Sequence, residues 1–67
     1  MKIGSNLRAL RMQKNLSQED IAKILNISRQ AYSRYENDQR EISLSSLCKL
    51  ADFYDETTDT ILGREPL

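Results

Sequence analysis

The sequence contains no histidine and only one cysteine, and these two gaps remove much of enzyme and metal chemistry. Without histidine a Cys/His zinc site cannot be assembled, and Cys48 alone can form no internal disulfide. A nucleophilic Cys48 would need a histidine base or another neighbour that lowers its pKa. It lies instead in the apolar pattern Leu44, Leu47, Cys48, Leu50, Ala51, which predicts a buried packing thiol. Only two glycines are present, so there is no glycine-rich phosphate loop, and carboxylate pairs such as Asp55 and Glu56 fall beside a helix boundary with no pocket implied. No metal, cofactor or enzymatic activity is expected. No apolar run approaches the length of a spanning helix, and MKIGSNLRALRMQ lacks the continuous apolar core of a signal peptide. The expected location is the cytoplasm. Repeats, low-complexity segments and interdomain linkers are also missing.

What is present suits one small soluble domain over residues 1–67. Hydrophobic residues make up 39% and charged residues 30% of the chain, too apolar in pattern for a disordered tail. A chain of this size buries only about 60% of its unfolded surface, so it has to pack economically. The formal net charge is zero, but its distribution is uneven. Residues 1 to 40 carry eight basic against four acidic groups, +4, and residues 41 to 67 carry two basic against six acidic groups, −4. A basic front and an acidic back are the asymmetry of a small DNA-binding module. The acidic back also suits contact with a protein partner.

Apolar spacing divides the chain into helices. Ile3, Leu7 and Leu10 define an amphipathic segment from Ile3 to about Lys14, with Gly4 and Asn6 predicting a loosely held first turn. Arg11 falls at the edge of its inward face and wants a partner. Ser43 caps a later helix in which Leu44, Leu47, Leu50, Ala51 and Tyr54 recur at three-and-four spacing. Thr57 caps a last short helix containing Ile61 and Leu62, Gly63 stops it, and Pro66 prevents continuation. The segment DQREIS between Asn37 and Leu44 reads as a loop.

Residues 17–37, SQEDIAKILNISRQAYSRYEN, read as two short helices around a break at Asn26. Ser17 supplies a cap, Glu19 and Asp20 favour the first turn, and Ile21 and Leu25 share a face. Ala22 is small where a crossing helix would approach closely. Asn26 tolerates the left-handed backbone of a sharp turn, and Ser28 opens the second helix, about 28–36. Ile24 is either a flank contact or an exposed apolar residue. With Ile27, Tyr32 and Tyr35 inward, Arg29, Gln30, Ser33 and Arg34 face outward. Arginine can bond guanine bidentately and glutamine adenine, on an element that fits the major groove. A solvated polar face would look the same in isolation.

The whole pattern resembles the lambda-repressor-like (Xre/Cro) helix-turn-helix family. The likeness runs from IGSNLRALRMQKNLSQEDIAKIL through NISRQAYSRYENDQR to LSSLCKLADFY and DTILG. It rests on Leu-Ser-Gln before the first motif helix, Ala22, Ile27-Ser28, Tyr35-Glu36-Asn37 and Leu62-Gly63. The resemblance implies an all-α fold of five helices, with helices 2 and 3 as the motif, binding operator DNA commonly as a homodimer. Carried over by residue, it makes Arg29, Gln30, Ser33 and Arg34 base contacts. Gln18, Ser28, Asn37 and Arg40 become phosphate contacts, and Arg11 and Glu36 a salt bridge between the first and third helices. Repression by operator occupancy is the implied role. The alternative is a protein-interaction module, an antitoxin or anti-repressor, on the same fold. Asn26 stands where the family has a turn glycine. Glu56, Thr58 and Thr60 replace apolar residues near the last helix, which implies weaker packing there and a more polar dimer interface.

Overall fold

A computed structural model describes residues 2–64, so Pro66 lies outside the described residues. The fold is all-α, with α1 Gly4–Gln13, α2 Gln18–Leu25, α3 Arg29–Glu36, α4 Leu44–Tyr54 and α5 Thr58–Leu62. Helix α3 packs on α2 and α1, while α4 lies against α2 and α5, and α5 returns to α1. Each helix contributes one large side chain that is completely buried: Leu7, Ile21, Tyr32, Leu50 and Ile61. Ala22 is buried where α2 crosses its neighbours, and Tyr35 meets Tyr32 edge-on at 6.4 Å between ring centroids. No described helix is long and apolar enough to cross a membrane.

The helix starts follow local chemistry. Ser17, Ser28, Ser43 and Thr57 sit in extended backbone at the N-caps of α2 to α5, and each side-chain oxygen accepts the N–H three residues on. Those oxygens satisfy donors that the first helical turn leaves over. In α2 the cap is reciprocal, because Asp20 accepts the Ser17 N–H at 2.9 Å. That backbone bond, followed by the Ser17 hydroxyl, holds the Asp20 carboxyl below its usual range.

The helix stops are uniform. Asn15, Asn26, Asp38, Asp55 and Gly63 all have positive φ, between 55° and 75°. The next residue in each case donates its N–H five residues back: Leu16 to Arg11, Ile27 to Ala22, Gln39 to Arg34, Glu56 to Ala51 and Arg64 to Asp59. This is the left-handed stop that glycine usually serves, here built four times from asparagine or aspartate. Leu16 and Ile27, the residues after the first two stops, pack against the core and fix the exit of the chain.

Two expectations about α4 are corrected. Cys48 is exposed, not a buried packing thiol. It lies about 100° around the helix from Leu47, on the side away from Leu50 and Tyr54. Leu44 is 72% exposed because it stands in the first turn, at the margin of the core-facing stripe of Ser46, Leu47, Leu50 and Tyr54. Ile24 is likewise exposed. Helix α5, expected to pack weakly, is anchored by Ile61 and by the Asn6 amide, which donates to the Ile61 carbonyl at 3.3 Å. Its polar Thr60 hydroxyl is 3.0 Å from that of Thr57 and completes the cap.

Gly4 is buried and does not begin a loose turn. A Cβ there would fall well inside contact distance of the Glu36 carbonyl oxygen and 2.6 Å from its carbon, so only glycine lets α1 lie against the end of α3. Two glycine exchanges should therefore act in opposite directions in urea denaturation. Gly4→Ala should cost about 1–3 kcal/mol despite alanine's better helix propensity, because the clash is with backbone. Asp55→Gly should gain about 0.5 kcal/mol by relieving the left-handed strain, less the added freedom of the unfolded chain. A stabilised Gly4→Ala protein would contradict the close approach.

Candidate nucleic-acid interface

Helix α3 is built as a two-faced element. Tyr32, Tyr35 and Glu36 point into the molecule, while Arg29, Gln30 and Arg34 are exposed and Ser33 is half-buried. The side chains of Arg29, Gln30 and Arg34 make no hydrogen bond or ion pair among the described residues. Ser33 does: its hydroxyl accepts from the Asn37 amide at 3.3 Å, which ties two of the expected contacts to each other. Ser28 accepts the Ala31 N–H at 3.0 Å and keeps its own hydroxyl hydrogen at the solvent-facing start of α3. Arg40 is exposed in the following loop, at the rim of a groove formed by Ile3, Ile42, Leu44, Leu47 and Leu62.

The inward anchor of α3 is the Glu36 carboxylate, whose side chain is fully buried. Arg11 grips both its oxygens, Nε donating to Oε2 at 2.6 Å and Nη2 to Oε1 at 3.0 Å. The remaining guanidinium nitrogen of Arg11 donates to the Leu16 carbonyl at 2.9 Å. Gln18 Nε2 adds a bond to Oε1 at 3.1 Å, and the more exposed Arg8 approaches the same oxygen at 3.5 Å. One carboxylate therefore joins α1, α2 and α3. Burial by itself would raise the Glu36 pKa; the bonds from Arg11, then Gln18, outweigh it and hold the group below the usual range. The Tyr32 and Tyr54 hydroxyls are buried nearby without a geometrically sound hydrogen bond. Burial, reinforced by Glu36, raises both phenols, Tyr54 to about 12.

A helix-turn-helix family model matches residues 7–61. The chain is 44% identical over 59 residues to the HTH-type transcriptional regulator AnsR of Bacillus subtilis, covering 88% of this chain and 51% of that protein. It is 34% identical over 65 residues to the regulator ImmR of the same organism, covering 97% of this chain and 51% of that protein. The crystal structure of the restriction-modification controller protein C.AhdI from Aeromonas hydrophila matches with a TM-score of 0.80 at 37% identity, over 90% of this chain and 91% of that one. The chain belongs to the helix-turn-helix family. Its five helices have the lambda-repressor-like (Xre/Cro) arrangement, in which α2, the Asn26 turn and α3 form the helix-turn-helix. The chain spans about half the length of these curated relatives.

Within this domain the structure brings Arg11 of α1 and Glu36 of α3 together and leaves the side chains of Arg29, Gln30 and Arg34 on the outer face without a partner among the described residues. Gln18, carried over as a phosphate contact, has one amide hydrogen committed to Glu36. Arg8 and Asp38 were missed as members of the site. Arg8 lies one turn before Arg11, a spacing that could have marked it; Asp38 gave no local sign beyond its tolerance of a left-handed turn.

Removing Arg11 should expose how much depends on this carboxylate. Arg11→Ala should cost about 3 kcal/mol in chemical denaturation, since it leaves a buried charge with weaker partners. The pH dependence has a definite sign. The folded-state pKa of Glu36 lies below its unfolded value, so the unfolded chain takes up the proton first. Its contribution should be complete above the ordinary glutamate value, about 4.3, and lost as pH falls through the lower folded-state value. Glu36→Gln should flatten that acid limb; an unchanged limb would assign it to other carboxylates.

Proposed function

We propose that this chain is the DNA-binding part of a transcriptional regulator, with residues 1–67 acting as one domain and α3 lying in the major groove of an operator duplex. Arg29 and Arg34 suit guanine and Gln30 suits adenine, with Ser33 at the margin of the same face. Ser28, Asn37, Arg40 and the uncommitted amide hydrogen of Gln18 contact phosphate and fix the register. The protein acts in the cytoplasm as a homodimer that represses by occupying its operator. The observation that carries this reading is the exposed face of Arg29, Gln30 and Arg34, whose side chains have no partner among the described residues, on a helix anchored from behind through Glu36. The regulators AnsR and ImmR support it by family.

A second reading, a protein-interaction module such as an antitoxin or anti-repressor, is favoured by the open groove around the 72% exposed Leu44 and by the acidic C-terminal half.

Selection of bound sequences from random duplex DNA at physiological salt separates the two. An enriched motif is expected; its absence would favour the interaction module. Arg29→Ala should then cost about 1–3 kcal/mol of specific binding and relax the choice at one base pair. Arg40→Ala should weaken binding to all duplexes and reduce the salt slope by about one unit. Equal loss of specificity from both would overturn the division of roles.

A further inference from the structure

Among the described helices, α1 alone has no side-chain cap of its own. Its N-cap residue, Ile3, has no accepting side chain and a backbone at φ −117°, ψ 3°, unlike the extended caps of the other four helices. The missing acceptor comes from the far side of the motif. Asp38 Oδ1 accepts the Gly4 N–H at 2.9 Å, across 34 residues of sequence. Asp38 is the left-handed residue that stops α3, with φ 57°. A carboxylate at that place also complements the positive end of the α1 dipole.

Glu36 and Asp38 therefore attach the end of α3 to α1 at two separated points. Glu36 holds Arg11, and Asp38 holds Gly4, seven residues earlier. On a helix that separation is roughly 10 Å. One attachment leaves a pivot, whereas two fix an angle. Between them the Glu36 carbonyl rests against the Gly4 backbone with no room for a side chain. We infer that Asp38 is a positioning residue for the reading helix: it caps α1 from across the fold and so sets the angle at which α3 presents Arg29, Gln30 and Arg34. This rests on the DNA-reading function proposed above, but the angle itself can be measured without DNA.

The decisive variant is Asp38→Gly, because glycine keeps the left-handed stop without strain and deletes only the acceptor. Asp38→Asn keeps both an acceptor oxygen and tolerance of positive φ. In solution NMR of the full chain, Asp38→Gly should speed hydrogen exchange at the Gly4 amide and change the α1 to α3 angle reported by residual dipolar couplings. Asp38→Asn should restore both. With a duplex selected by the wild-type protein and an unrelated duplex of equal length as probes, Asp38→Gly should lose about threefold to tenfold of the preference for the selected duplex. An unchanged angle in Asp38→Gly overturns the inference whatever the DNA result. A changed angle with an unchanged preference overturns its link to reading. Failure of the wild-type protein to select any motif instead removes the DNA function, while the angle still decides whether Asp38 positions α3.

Discussion

A single buried carboxylate organises this molecule. Glu36 sits at the end of α3, where burial alone would drive it toward the neutral form. It is held ionised because Arg11 meets both its oxygens from α1 and Gln18 meets one of them from α2. Such a pair is weak grounds for net stability, since desolvation offsets much of its attraction. Its value is directional. The planar fork of Arg11 accepts the carboxylate in few geometries, so three helices that could slide on an apolar core of leucine, isoleucine and tyrosine are held in one register. The third guanidinium nitrogen of Arg11, bound to the Leu16 carbonyl, extends the same restraint to the link that leads into α2.

Around that anchor the helices are kept short by termination signals as much as by packing. Four serine or threonine starts and five left-handed stops bound segments of five to eleven residues, most of them too short to persist alone in water. The caps decide where each helix begins and ends; the core decides that it forms. With only two glycines in the chain, and one needed inside the α1 to α3 contact, four stops fall to asparagine and aspartate.

Signals that act within a few residues were legible in the sequence. Ser17, Ser28, Ser43 and Thr57 were recognisable as caps, Asn26 as a left-handed turn, and Tyr32 and Tyr35 as inward-facing by their spacing. Periodicity was less reliable at the margins of a stripe, because it gives an angle around the axis but not whether a neighbour reaches that turn. Leu44 on α4 failed for that reason, whereas Cys48 lies off the stripe by its own angle. What the sequence hid was long-range. Gly4 looked like a poor helix start because propensity is local, whereas its reason is a backbone 32 residues away. The attachment of Gln18 to Glu36 and of Asp38 to Gly4 likewise depends on how α1 lies across the motif, which no short window contains. Arg11 was marked locally only as needing a partner; the identity of that partner came from family resemblance.

Among the described residues, the side chains of Arg29, Gln30 and Arg34 have no partner, while the Glu36 anchor of α3 lies on its other face. Scaffold and outer surface are therefore nearly independent in this chain. Changes at those three positions disturb no side-chain hydrogen bond or ion pair among the described residues, so the chemistry of that face can be exchanged while the core, caps and anchor are inherited unchanged.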